Sequence, residues 1–215
     1  MPRGVKAEFS EAISDYLAEH SRQDSVLARV EQDMVGNPRA SMQVSPDQGA
    51  LLTVLVRAVG ARNALEIGTF TGYSAICIAR GLEDGGRLTC LEIDEGYAAT
   101  ARANLDDAGV GDRVTIRLGP AEESLQRMPE EPAFDFVFLD ADKQGYADYY
   151  ELILPRMHPG ALMLIDNTLL GGRVLEPEDE RSQIVAELND KIAADERVDS
   201  AMAFIADGVT FVRKR

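Results

Sequence analysis

Five short apolar runs, each followed by a stretch with helical spacing, occupy the middle of the chain: ALEIG at 64–68, RLTCLEID at 87–94, RVTIRLG at 113–119, FDFVFLDAD at 134–142 and GALMLID at 160–166. Strands this apolar need cover on both faces, and strands joined by helices run parallel through right-handed crossovers. Two further runs, VDSAMAFIA at 198–206 and VTFVRK at 209–214, are separated only by Asp207-Gly208, which predicts a tight hairpin. The expectation is an α/β fold: a seven-stranded, mostly parallel sheet with helices on both faces and a C-terminal antiparallel hairpin.

Residues 8–35 place apolar side chains at helical intervals (Phe9, Ile13, Tyr16, Leu17, then Val26, Leu27, Val30, Met34), broken near Ser21 and ended by Gly36-Asn37-Pro38. Two helices therefore precede the core. A third begins at Ser45-Pro46-Asp47-Gln48, with Ser45 as N-cap and Pro46 at the first helical position, and stops at Gly60. At 215 residues the chain reads as one domain over 1–215, its N-terminal helices (about 1–60) packed on the core.

Charge excludes one class of partner. The chain has 22 basic and 37 acidic residues, a net charge of −15 that repels phosphate backbones, so nucleic acid is not expected. No apolar run approaches the roughly 18 to 20 residues of a membrane span, and the opening MPRGVKAEFSEAISDY lacks a secretory pattern, so a cytoplasmic chain with no membrane partner is expected. Cys77 and Cys90 lack disulfide or metal spacing and read as core thiols. His20 and His158 are isolated, His158 in an MHPG turn, and neither suggests a metal site. The acidic EPEDE at 176–180 reads as a solvated loop.

In an open parallel sheet ligands bind beyond the carboxyl ends of the strands. The first strand runs into Glu66-Ile67-Gly68-Thr69-Phe70-Thr71-Gly72-Tyr73-Ser74, a glycine turn opening a helix, but Phe70 stands where a dinucleotide fingerprint needs glycine. The second ends in Glu92-Ile93-Asp94, which places an acid 24 residues after Gly68, where such folds hold ribose hydroxyls. Glu92 is the better aligned acid, since Asp94 is equally placed to cap the next helix. A glycine turn without pyrophosphate recognition plus a ribose carboxylate fits S-adenosylmethionine. After the fourth and fifth strands come Asp140-Ala141-Asp142-Lys143 and Asp166-Asn167. Asp140, Asp166 and the Asn167 amide oxygen form the all-oxygen set that Mg²⁺ or Ca²⁺ takes, unless Asp142 and Asp166 merely cap helices or loops.

As a set, MQVSPDQG at 42–49, LEIGTFTGYS at 65–74, LEID at 91–94, GPA at 119–121, FLDADK at 138–143, DNTL at 166–169 and DGVTF at 207–211 resemble the cation-dependent catechol and caffeoyl-CoA O-methyltransferases, in unbroken order from about residue 40 to 215. The resemblance implies a Rossmann-like class I methyltransferase fold, in which Met42, Val44, Glu66, Gly68 and Ser74 line the methionine and sulfonium side of S-adenosylmethionine. It further implies that Glu92 holds the ribose, Ile93 and Ala121 flank the adenine, and Asp142 steers the methionine amino group. Asp140, with Asp166 and Asn167, would hold Mg²⁺ or another divalent cation such as Mn²⁺ or Ca²⁺, and Lys143 would be the general base.

These roles make chemical sense, because a phenol with a pKa near 10 must become a phenolate and be aimed at the methyl group. The implied acceptor is a small catechol-type phenol such as a phenylpropanoid or flavonoid, and the implied assembly a homodimer. Two features depart from the caffeoyl-CoA pattern: Leu170 replaces the usual Trp, and the following loop retains only Arg173 and Arg181 as cations. A smaller catechol than a CoA thioester is expected. Rival readings are an N-methyltransferase, disfavoured by DADK where such enzymes tend to show Asn-Pro-Pro-aromatic, and a catalytically silent S-adenosylmethionine-binding protein.

Overall fold

The computed structural model describes residues 10–215; Phe9 of the first predicted helix lies outside them. Alternating burial explains the sheet. In the strand Asn63–Ile67 (β1), Ala64 packs with one apolar cluster and Leu65 and Ile67 with another on the opposite face; in Phe134–Leu139 (β4), Phe136 and Phe138 join the first, Val137 and Leu139 the second. Arg87–Glu92 (β2), Val114–Leu118 (β3), Met157–Asp166 (β5), Val198–Ala203 (β6) and Val209–Lys214 (β7) complete a seven-stranded sheet in the order β3-β2-β1-β4-β5-β7-β6. β3 to β5 pair in parallel through β1, and β7 runs antiparallel to both β5 and β6. The strand order reverses between β1 and β4, which opens the crevice where α/β sheets bind ligands.

The helices are Glu11–Glu19 (α1), Ser25–Gln32 (α2), Pro46–Ala58 (α3), Tyr73–Gly81 (α4), Glu95–Asp107 (α5), Ala121–Arg127 (α6), Tyr146–Ile153 (α7) and Glu180–Ala194 (α8). α2, α3 and α4 cover the first face through Leu27, Leu52, Val56 and Ile76, and α7 and α8 cover the second through Tyr146, Tyr150, Leu188 and Ile192. Among the described residues no helix is long and apolar enough to cross a membrane. Cys77 and Cys90 are free, buried thiols, and burial pushes Cys77 up to about 12.

Four local expectations need correction. The turn between the last two strands is not Asp207-Gly208 alone: β6 stops at Ala203, which pairs with Val209. The connecting loop is held on the segment after β5, where Thr168 and Leu169 donate N–H groups to the carbonyls of Gly208 and Asp207. MHPG is not a free turn but the start of β5, absorbed as an irregularity between Phe134 paired to Met157 and Phe136 paired to Leu162, with Gly160 at φ +88°. EPEDE is more than a solvated loop, because Asp179 caps α8 in a reciprocal box with Ser182. Ser45 occupies the N-cap position of α3, yet its side chain makes no capping bond.

Candidate active site

At the carboxyl end of β1 the chain turns through Gly68, at φ +87°, where a Cβ would collide with the backbone carbonyl of Asp140. Glycine is required there because the turn lies directly on the end of β4, whose Asp140 donates its N–H to the Ile67 carbonyl. The turn is also tied to β2. Glu92 Oε2 accepts the N–H groups of Thr69 and Phe70, and its Oε1 accepts those of Ile93 and Asp94. Asp94 caps α5 through the Tyr97 N–H, so the two acids that the sequence left as alternatives have separate local roles.

A short turn over Ala40–Met42 lies against the same loop, because Thr71 donates its hydroxyl to Gln43 Oε1 at 2.6 Å. This brings Met42, half exposed, and Val44, buried, beside the glycine turn. Ile93 is exposed at the tip of β2, and Ala121 opens α6 just after β3, whose end is joined to β2 by the Gly119 N–H on the Glu92 carbonyl. Ser74, in the first turn of α4, is buried. The residues expected around S-adenosylmethionine therefore lie on adjacent strand ends and on the turn that faces them.

Glu66 is fully buried, and neither of its oxygens has a hydrogen-bond partner. Burial pushes its carboxyl up to about 7, and the charge of Asp140 adds to that rise. A second buried acid lies across the crevice. Asp166, at the end of β5, accepts the Asn167 N–H, and burial followed by the charge of Asp140 pushes its pKa above the ordinary carboxylate range. It caps no helix. Asn167 adopts a left-handed backbone at φ +55°, uncommon for a residue other than glycine. Among the described residues no three His, Cys, Asp or Glu side chains are grouped to hold a metal.

Asp142 does cap: it accepts the Gly145 N–H at 3.0 Å, and the Tyr149 hydroxyl at 2.8 Å. Lys143 is buried at the same strand end. Its side chain is 5% exposed, and Nζ donates to Asp140 Oδ1 at 2.8 Å and to the Tyr146 hydroxyl. Two buried groups at this end escaped the sequence reading. Tyr146 follows Lys143 at one-turn spacing, a signal available in DKQGY, and Gln48 on α3 is buried with its Nε2 unpartnered.

The family model described as O-methyltransferase matches residues 18–215. The chain is similar to the caffeoyl-CoA O-methyltransferase of Petroselinum crispum, 33% identical over 95% of this chain and 91% of that one. It is also similar to the catechol O-methyltransferase of Niastella koreensis, 37% identical over 79% of this chain and 78% of that one. Among solved structures, the O-methyltransferase from Bacillus cereus in complex with SAH superimposes with a TM-score of 0.86, 38% identity and coverage of 94% and 97%. TomG from Streptomyces achromogenes, involved in tomaymycin synthesis and bound to SAM, does so with a TM-score of 0.85, 32% identity and coverage of 94% and 96%.

Proposed function

The chain belongs to the S-adenosylmethionine-dependent O-methyltransferases, and we propose that within this family it methylates one hydroxyl of a small vicinal diphenol with the help of a divalent cation. The observation that carries this reading is the grouping of Asp140, Asp166 and Asn167 at two adjacent strand ends, with Lys143 bonded to the first of them. A buried carboxylate with a like charge nearby is costly alone, and an all-oxygen donor set suits Mg²⁺, Mn²⁺ or Ca²⁺. When bound, such a cation would lower the pKa of a coordinated phenol and neutralise the two acids.

The remaining steps belong to the chain. Glu92 accepts the ribose hydroxyls of S-adenosylmethionine, for which it must share oxygens already serving four backbone N–H groups. Met42, Val44, Glu66, Gly68 and Ser74 enclose its methionine and sulfonium side, with Asp140 at the sulfonium side and Asp142 near the amino group, while Ile93 and Ala121 flank the adenine. Glu66, as a buried acid with free oxygens, gains from a cationic neighbour. Lys143, when neutral, takes the acceptor's proton at Nζ, with Asp140 orienting it. The acceptor oxygen then bonds to the methyl carbon as the carbon–sulfur bond breaks, and the electron pair leaves with sulfur.

A free catechol is favoured over a CoA thioester by the loop after β5, where Arg173 is engaged by the Leu170 carbonyl and by Asp179 at 3.3 Å. Methyl transfer to a panel of vicinal diphenols, run with Mg²⁺ and with excess chelator, tests the proposal. Turnover that needs the metal supports it, and equal turnover with chelator overturns the metal's role.

A further inference from the structure

The Tyr146 hydroxyl lies at a junction of three parts of the site. Its side chain is fully buried at the start of α7, and its oxygen accepts a hydrogen bond from Lys143 Nζ. The same oxygen lies 3.1 Å from the Asp166 carbonyl and 3.3 Å from the Leu139 carbonyl, at the ends of β5 and β4. A phenol has one proton and two lone pairs, so it donates to one of these carbonyls while accepting from the lysine.

The geometry also limits the lysine. Besides Cε, a tetrahedral amine nitrogen has three positions, and Asp140 Oδ1 and the Tyr146 oxygen take two of them. The third position is left free of both partners. A lysine amine without such partners turns freely on its flexible stem. We propose that Tyr146 is a positioning residue for methyl transfer: anchored on the ends of β4 and β5, its hydroxyl fixes Lys143 Nζ so that its one free position meets the acceptor hydroxyl. This deepens the proposed function and rests on Lys143 as its base. It also assigns to Tyr146 a share in choosing which of two adjacent hydroxyls is methylated.

Tyr146→Phe removes the oxygen and keeps the ring in the core. Tyr150→Phe is the control, since it deletes a hydroxyl of the same helix that is bonded to Asp195 instead. With a vicinal diphenol and Mg²⁺, Tyr146→Phe is expected to lower kcat by about 10- to 100-fold, leave both KM values unchanged and shift the ratio of the two monomethylated isomers. Tyr150→Phe should move neither kcat nor the ratio, and in a Lys143→Ala background Tyr146→Phe should have no further effect. An unchanged kcat and isomer ratio in Tyr146→Phe, or an undiminished effect without Lys143, overturns the proposal. A second readout needs no turnover: acetic anhydride labelling of the folded protein, followed by mass spectrometry, should acylate Lys143 faster in Tyr146→Phe than in wild type or Tyr150→Phe. Equal rates overturn the proposal, whereas a wild-type protein that methylates no diphenol counts against the proposed function instead.

Discussion

Phe70 donates its backbone N–H to Glu92 Oε2 at 2.8 Å from a left-handed backbone at φ +50°. A bulky residue in that region is strained by about 1–3 kcal/mol, and it persists because its surroundings hold it. Here the holders are the Glu92 carboxylate, which also takes the Thr69 N–H, and the Tyr97 ring, packed 4.3 Å from that of Phe70. Glu92, proposed to hold the ribose, is thus also the clamp that shapes the glycine turn.

Glu92→Ala should therefore do two things. It should weaken S-adenosylmethionine binding by about 1.5–3 kcal/mol through lost charge-assisted bonds. It should also lower stability in the absence of ligand by about 2 kcal/mol or more, because buried N–H groups lose their acceptor. Calorimetry and urea unfolding report these separately. Unchanged affinity in the folded variant removes Glu92 from the cofactor site.

Glu66 predicts a pH dependence of the ligand-free protein. Its pKa is raised by burial from 4.5 to about 7 in the folded chain, so between those values the native state holds a proton that the unfolded state has released. Stability should fall as pH rises from 4.5 to 7, by about 3 kcal/mol for this group. Glu66→Gln should remove that part of the slope and stabilise the apo protein at pH 8. Parallel urea titrations of the two proteins would contradict the assignment.

Asp166→Ala should spare S-adenosylmethionine binding and abolish turnover, because it touches only the proposed cation and acceptor. Calorimetry for the cofactor and a methyl-transfer assay distinguish the two effects, and near-normal turnover would remove Asp166 from the chemistry.

Lys143→Ala should lower kcat by about two to four orders of magnitude, the usual range for a positioned base. Recovery of the rate as pH rises identifies a base that hydroxide replaces, and loss persisting at every pH identifies an orienting group instead.

The parallel strands were legible in the sequence because β1, β4 and β5 are buried on both faces, leaving runs such as Phe136-Val137-Phe138-Leu139 with no polar interruption. The strand-end acids were legible for the complementary reason, that polar residues at fixed offsets after such runs stand out. Long-range backbone bonds left no local trace. Ile205 and Ala206 read as a continuation of β6, yet the loop is held by Thr168 and Leu169, distant in sequence. Pro159 and Gly160 punctuate like a turn, but β5 absorbs them where β4 shifts register. Tyr146 and Gln48 went unread because one side of an amphipathic helix looks the same whether its polar atom meets solvent or a buried partner. Only the fold brings the Tyr146 oxygen to Lys143, Leu139 and Asp166 together.

On the proposed function a chelating pair of hydroxyls completes the site. In the proposed site Asp140, Asp166 and Asn167 would offer three of the roughly six oxygens that Mg²⁺ takes, and two adjacent phenolic oxygens would supply two more while fixing the ring. The direct measurement is kcat/KM for caffeic acid and p-coumaric acid, with S-adenosylmethionine in excess, in Mg²⁺ and in chelator. Methylation of caffeic acid only with Mg²⁺, and none of p-coumaric acid, is the predicted result; comparable values for both acids, or turnover of caffeic acid undiminished by chelator, would contradict it.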